Sequence, residues 1–392
     1  MIDLKLSLAL PHNLPHQGPE DDHLVERLIR ARDYIYDANV TCRVAPFTTD
    51  AMGPIVDPMG AQMHVADALR LQARTGVRVS GLFNNIYVPP THENLELFVR
   101  GLEPLYEQGL RSITVPHTLW LKFGLIQRRF PDMTIKSTVL RRVRSGQDFW
   151  NLAEAGFDYV MIDRLALRDR RVLKQIREAQ GVFAERYGKR VVLAALVAER
   201  VCRGDCPFWE EHYQHTMTHP DAGSVQEFEA IFETPQSYSC QKFYNPFSSP
   251  ILPPFRADFA EVAEFFDVAK WNGRVSGVPG LDVSLDFLDD LLHGDSELVP
   301  YTASWYPNQL RNCRALPSAK LLDKWRKVTR TCGFQCWGCS LCTELEHAMR
   351  ADLVERARGP GPWLRGLVRP GPPPAPRGQR PVRRRTRTAR GR

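Results

Sequence analysis

The 392-residue sequence holds no apolar run approaching the roughly 20 residues that a bilayer-spanning helix needs. Its first residues show no basic start followed by an apolar stretch and a cleavage site. The expectation is a soluble, cytoplasmic protein with no membrane partner. A glycine-rich phosphate loop is also missing after the first strand pattern, where "ALPHNLPHQGPEDD" stands instead, which argues against a doubly wound nucleotide-binding sheet. Neither a G-x-S-x-G elbow nor an H-E-x-x-H pair occurs, so serine-hydrolase and zinc-metalloprotease readings have little to rest on. Carboxylates and lysines are absent from Arg358 onward, where eleven arginines fall; the rest of the chain therefore carries −4 of the formal net +7. That segment is proline-rich and lacks apolar periodicity, so residues 357–392 read as a disordered, solvated tail. RNA contact through counterion release is its functional alternative.

What the chain does have is nine cysteines: Cys42, Cys202, Cys206, Cys240, Cys313, Cys332, Cys336, Cys339 and Cys342. An odd, clustered set without a secretion signal points to metal binding in a reducing compartment rather than to disulfides.

Short β-rich runs alternate with longer amphipathic ones, the signature of a parallel sheet with crossover helices. Eight strands are expected: "LKLSLAL" (4–10), "YIYDANV" (34–40), "VRVSGLFN" (77–84), "RSITVPH" (111–117), "MTIKSTV" (133–139), "FDYVMID" (157–163), "RVVLAALV" (190–197) and "DVAKW" (267–271). Between them, Leu95, Phe98, Val99 and Leu102 recur at helical spacing with Gly109 suited to a C-cap. Ser145 and Gly156 bracket another helix. Eight such units predict a (β/α)8 TIM-like barrel over residues 1–300, with a long insertion before strand 8 and a cysteine-rich module over 301–356.

Chemistry in such a barrel sits at the C-terminal strand ends. There the sequence places Asn13, Cys42, Asn84, Asn85, His117, Ser137, Arg141, Asp163, Arg164, Glu199, Lys270 and Arg274, a polar and partly cationic mouth. Its guanidinium forks match a carboxylate or phosphate geometrically; ordinary rim ion pairs are the plainer alternative. After the seventh strand comes "AERVCRGDCPFWEEHYQH", with Cys202 and Cys206 four apart. Cys240 follows within an insertion of about seventy residues, far above ordinary loop length. His212, His215 and His219 share roughly one helical face, but not at metalloprotease spacing.

These residues carry a resemblance to the collagenase-like peptidase family. The run from "GLRSITVPH" through "FPDMTIKSTV" to "AGFDYVMIDR" is similar to that family's order of strand, helix and strand ending in Ser-Thr. "E..C...CP....H", here Glu199, Cys202, Cys206, Pro207 and His212, resembles its cysteine segment, and "PPFRADFAEVAEFFDVAKWNGR" its later segment, matching at Lys270, Gly273 and Arg274. The family usually has Asn-Glu just before the first cysteine, where Ala198-Glu199-Arg200-Val201 stands here. The resemblance implies a barrel of the iron-sulfur branch, similar to oxygen-independent hydroxylation proteins that act in ubiquinone synthesis or on RNA. It also brings a metal-dependent peptidase as the alternative, with His212 or Glu199 activating water.

The segment "TCGFQCWGCSLC" (331–342) fits C-x3-C-x2-C, the radical SAM spacing, but lies after all eight strands instead of after the first. Cys336, Cys339 and Cys342 also give C-x2-C-x2-C, the spacing that supplies three thiolates to a cubane, with Cys332 or Cys313 completing four. A zinc knuckle is the alternative, although such sites use two close pairs set further apart. The expectation is a [4Fe-4S]-type cluster on Cys332, Cys336, Cys339 and Cys342. Another would use Cys202, Cys206 and Cys240, with Cys42 or a C-terminal cysteine as a candidate fourth ligand. The expected catalytic residues are His117, Glu199 and Lys270, and the substrate-binding residues Asn84, Arg141, Arg164 and Arg274. Substrate would be a small molecule or nucleobase, with an electron donor or partner subunit; a non-catalytic electron carrier or RNA-binding partner is the third reading.

Overall fold

The computed structural model describes residues 4–11, 14–15, 17–47, 58–198, 255–271, 277–295, 316–332 and 338–349. Eight parallel strands close on themselves in chain order: β1 (Lys5–Ala9), β2 (Ile35–Thr41), β3 (Val79–Leu82), β4 (Ser112–Val115), β5 (Thr134–Ser137), β6 (Tyr159–Ile162), β7 (Val192–Ala198) and β8 (Val268–Trp271). β8 returns to β1 through Ser7 opposite Lys270, which completes a (β/α)8 barrel. Each expected strand is present, most of them trimmed at the ends, while β2 and β7 run one residue past the expected bound, to Thr41 and Ala198.

Alternation along each strand divides the residues between two layers. Val79, Ile113, Val115, Ile135, Val160, Ile162, Leu193, Ala195 and Ala269 point outward and join one continuous core beneath the helices. Tyr159, Met161, Ala194, Leu196 and Val268 point inward and fill the β6–β8 side of the barrel. The β1–β5 side is polar inside: Ser7, Asp37, Ser80, Ser112 and Lys136 are all fully buried. Ser80 and Ser112 hydroxyls meet at 3.0 Å across β3 and β4.

The outer ring comprises α1 (Pro19–Ala31), α2 (Pro58–Thr75), α3 (His92–Glu107), the short α4 (Thr118–Lys122) and α5 (Leu125–Arg129), α6 (Gly146–Ala155), α7 (Arg170–Tyr187), α8 (Arg256–Ala263) and α9 (Gly277–His293). The Ser145 hydroxyl accepts from the Asp148 amide at 3.0 Å, satisfying an otherwise unpaired donor at the start of α6. Gly156 closes that helix at φ 111°, where a side chain would be strained. Beyond the barrel lie α10 (Ala319–Thr329) and α11 (Leu341–Met349).

Candidate active site

A polar network occupies the barrel interior. Lys136 on β5 donates to the Asp37 carboxylate on β2, three strands away around the ring, and to Asn39 Oδ1 at 3.1 Å. Ser7 Oγ donates to the other Asp37 oxygen, and Asn39 Nδ2 donates to Ser7 Oγ at 2.7 Å and to the Leu8 carbonyl at 2.9 Å. Lys270 on β8 reaches the same Asn39 Oδ1 at 3.4 Å, so two ammonium groups share one amide oxygen. Burial pulls the Lys136 pKa down while Asp37 pushes back, and the ammonium also lies 5.0 Å from the Tyr159 ring centroid. Burial, then the Asp37 charge, hold the Tyr159 phenol well above its ordinary value, so it stays neutral. A buried ion pair persists when each member has further hydrogen bonds, as both have here.

Above this floor, the ends of β3, β4 and β5 bring Asn84, His117 and Arg141 to the C-terminal face. The Phe83 amide donates to the Thr114 carbonyl at 3.0 Å, extending the β3–β4 ladder and leaving Asn84 just past it. Asn85 Oδ1 then accepts from the Tyr87 amide at 2.9 Å, a side-chain turn that bends the loop back over β4. His117 is 6% exposed and lies between Phe47, stacked at 6.2 Å, and Trp120, edge-on at 4.8 Å. Burial, helped by the Arg141 charge and opposed by a hydrogen bond to the Val88 backbone, pushes its pKa down to about 4. Its Nε2 and the Asn84 Oδ1 are both buried without a hydrogen-bond partner. Arg141 is exposed at the end of the 3-10 turn Val139–Arg141 and has no carboxylate partner among the described residues.

The other sequence-derived residues fall differently. Asp163 and Arg144 pair at 3.1 Å on the rim, where Asp163 also accepts from the Leu165 amide at 2.7 Å. Arg164 is half-buried and already engaged. Cys42 corrects an expectation: it is 3% exposed in the outer core, its Sγ donating to the Val40 carbonyl at 3.8 Å. An added Cβ on Gly81 would stand 3.0 Å from that sulfur. Cys42 therefore points between strand and helix layers, away from the mouth, and cannot complete a site there. Glu199, Arg274, Cys202, Cys206, Cys240, Cys313, Cys336, His212, His215, His219 and the tail lie outside the described residues, as does Asn13.

The cysteine module is seated against the barrel between α7 and α8. Leu322 and Trp325 of α10 are buried, with Trp325 edge-on to Phe255 at 5.8 Å. Arg326 grips Asp258 through three hydrogen bonds of 2.9–3.0 Å, and Arg330 pairs with Glu261 at 3.0 Å. Thr331 bridges Asp169, and the Arg170 amide donates to the Arg330 carbonyl at 3.0 Å. This seam lies at the loop after β6, on the C-terminal face. There Arg168, which is 7% exposed, donates to Cys342 Sγ at 3.9 Å. Burial pushes the Cys342 thiol up, Arg168 and Trp325 oppose this, and Cys332 is near enough to raise it further. Cys339 is exposed just before α11. Cys342, in the first turn of α11, lies beside the Arg168 guanidinium, a position where positive charge and the helix N-terminus favour thiolate against the burial that raises its pKa. Among the described residues no group of three metal-ligating side chains comes together.

Sequence reasoning missed Asp37 and Lys136. The available signal was an ionisable residue at an inward position of each of two strands.

No family model and no curated protein matches the chain. Among solved structures, a U32 peptidase aligns at 14% identity over 71% of this chain and 95% of its own, with a TM-score of 0.45. The tetrameric deoxyribose phosphate aldolase of Aeropyrum pernix aligns at 14% identity over 49% of this chain and 75% of its own, TM-score 0.30. QR15, an aldolase, aligns at 14% identity over 57% and 86%, TM-score 0.30. The barrel assignment rests on the strand pairing itself. No helix among the described residues is long and apolar enough to cross a membrane.

Proposed function

We propose that the chain is a barrel enzyme that carries out a redox modification of a small anionic substrate, using a thiolate-ligated iron-sulfur cluster beside the mouth. The observation that supports this most is the seating of Cys332 and Cys342 together, next to Arg168, on the C-terminal face of the barrel. Cys332, Cys336, Cys339 and Cys342 would hold the cluster, which when bound supplies one-electron transfer. Arg168 offsets thiolate charge, and the buried Trp325 and Leu341 limit water at Cys342. Cys202, Cys206 and Cys240 would serve another cluster, since they follow β7, the strand between the two helices on which the module docks.

In the mouth, Arg141 takes the substrate's negative group, while His117, Asn84 and Lys270 contact its polar atoms; Arg164, Glu199 and Arg274 complete the set expected from sequence. The finer step, hydroxylation without dioxygen of a small molecule or nucleobase, comes from the family resemblance and needs an electron-transfer partner. Anaerobic purification with iron and sulfide quantification and EPR after reduction tests the reading. Iron and sulfide should be present and should fall in Cys332→Ser and Cys342→Ser. Stoichiometric zinc, or the absence of iron and sulfide, overturns it.

A further inference from the structure

The inward side chains of a (β/α)8 barrel stack in layers drawn from alternate strands. Followed from strand to strand, the pairing register here sets Lys136 in one layer with Ser7 and Ser80. It sets Lys270 in the next, toward the mouth, with Asn39, Thr114 and Met161. The Lys136 layer is sealed: Lys136, Ser7 and Ser80 are all 0% exposed. In the layer above, Asn39, Thr114 and Met161 are still buried, but Lys270 is partly open to solvent. So are Ala9 and Leu82, at the next inward positions of β1 and β3. Asn39 Oδ1, inside the ring, accepts from the Lys270 nitrogen at 3.4 Å, so the opening that reaches this amine is the mouth. Lys270 is the one ionisable side chain of its layer and stands at the bottom of what solvent can reach.

A barrel interior is ordinarily filled by branched apolar side chains, and a charge in a sealed layer costs several kcal/mol before it is paired. Here the buried charge is Lys136, paired with Asp37, and its ammonium donates at 3.1 Å to the same Asn39 oxygen that Lys270 uses. The interior thus sets a fixed cation directly beneath the mouth amine. A neighbouring cation favours the unprotonated, nucleophilic form of an amine over the ammonium. Leu196, the register partner of Lys270 on β7, and Leu82 give the surroundings an apolar, water-poor character that works in the same direction.

We propose that Lys270 is a nucleophile toward a small aliphatic aldehyde or ketone, which it holds as an imine at the base of the mouth. An acyl group taken by an amine leaves a stable amide, whereas a carbonyl is taken and returned, so the carbonyl class is the one that permits turnover. The nitrogen lone pair forms the C–N bond as the carbonyl π pair moves to oxygen. The two amine protons then leave with that oxygen as water, and hydrolysis reverses both steps. No oxidant or reductant enters. Asn39 is a positioning residue in this arrangement, aiming the amine and tying it to Lys136.

The inference goes beyond the proposed redox step and needs no cluster. Full-length protein at neutral pH is pulsed with propanal, with butanone or with pyruvate in the presence of sodium cyanoborohydride, which converts an imine to a stable secondary amine. Peptide mass spectrometry then reads which lysines carry the added mass. At least one compound should label Lys270 about tenfold or more faster than the exposed Lys122 and Lys174, because a cation that weakens proton binding tenfold raises the unprotonated amine tenfold. A lead for pyruvate over butanone would show that the carbonyl compound carries an acid group, and the reverse that it does not. Lys270→Arg keeps the positive charge without the nucleophile, so its circular dichroism should match the parent while the fast-labelled peptide disappears. Labelling of Lys270 no faster than that of Lys122 and Lys174 by all three compounds overturns the proposal, and so does a fast site that survives in Lys270→Arg. The parent protein's map decides by itself if the variant does not fold. Iron-loaded protein that labels slowly sinks this inference alone, and iron-free protein that labels fast leaves it standing.

Discussion

Replacing Lys136 with Met removes the ammonium that pairs with Asp37 inside the barrel while keeping most of the apolar stem. Both side chains of the pair are at most 1% exposed, so water cannot take over the lost interaction. Asp37 would keep the Ser7 hydroxyl as a donor but lose its counter-charge. Orphaning one member of a buried pair costs about 3–5 kcal/mol. Asp37→Asn orphans the ammonium instead; burial already draws Lys136 toward its neutral form, so this variant sheds the proton at a cost in the same range. The double variant D37N/K136M removes both charges and should return to within about 2 kcal/mol of the parent, because replacing both members of a buried pair is often near neutral. The coupling energy from the cycle should then reach at least about 3 kcal/mol. Urea unfolding followed by circular dichroism measures all four proteins under one set of conditions. Single variants that each lose under about 1 kcal/mol and add without coupling would refute the reasoning, since they would mean that solvent reaches the pair.

Protonation of His117 supplies a second test. Its folded pKa of about 4 lies below the unfolded value near 6.5, so the unfolded chain binds the proton first and stability falls as pH drops from about 6.5 through 4, by up to roughly 3 kcal/mol. His117→Asn should flatten that part of the stability–pH curve. Asp258→Ala, which deletes the carboxylate gripped by Arg326, should speed amide exchange in α10 while protection in β2–β6 stays as it was. Cys42→Ala should leave metal content unchanged in anaerobically purified protein, since the thiol lies in the outer core; loss of iron in this variant would reopen its candidacy as a ligand.

Much of the fold was legible because barrel strands are short apolar runs between turn signals, and "FDYVMID" or "RVVLAALV" can be little else at that length. Ser145 and Gly156 could be placed because capping is local: the hydroxyl and the left-handed turn answer to the few residues beside them. Asn84, His117 and Arg141 could be placed near strand ends, since each sits two to four residues beyond one. Lys136 and Asp37 could not be paired in this way. Each is a charged residue within a strand, and what makes them partners is ring closure, which brings β2 and β5 into reach across the interior. Cys42 went the other way: its position after a strand suggested the mouth, but strand parity and the bare Gly81 beside it turn the thiol outward. Arg168 carried no signal either, since its meeting with Cys342 joins residues far apart in the chain.

The seam that joins Asp169 and Arg170 to Arg330 and Thr331 sets an order of assembly. The groove that receives α10 is walled by α7 and α8, and α8 precedes the last barrel strand, so during synthesis the cysteine loop leaves the ribosome after its scaffold. Any inorganic centre held by that loop is installed on a finished barrel and does not have to drive folding, unlike the small zinc domains that collapse only when metal arrives. Removing any such centre should accordingly loosen one edge of the molecule and leave the ring of strands standing, ready to receive it again.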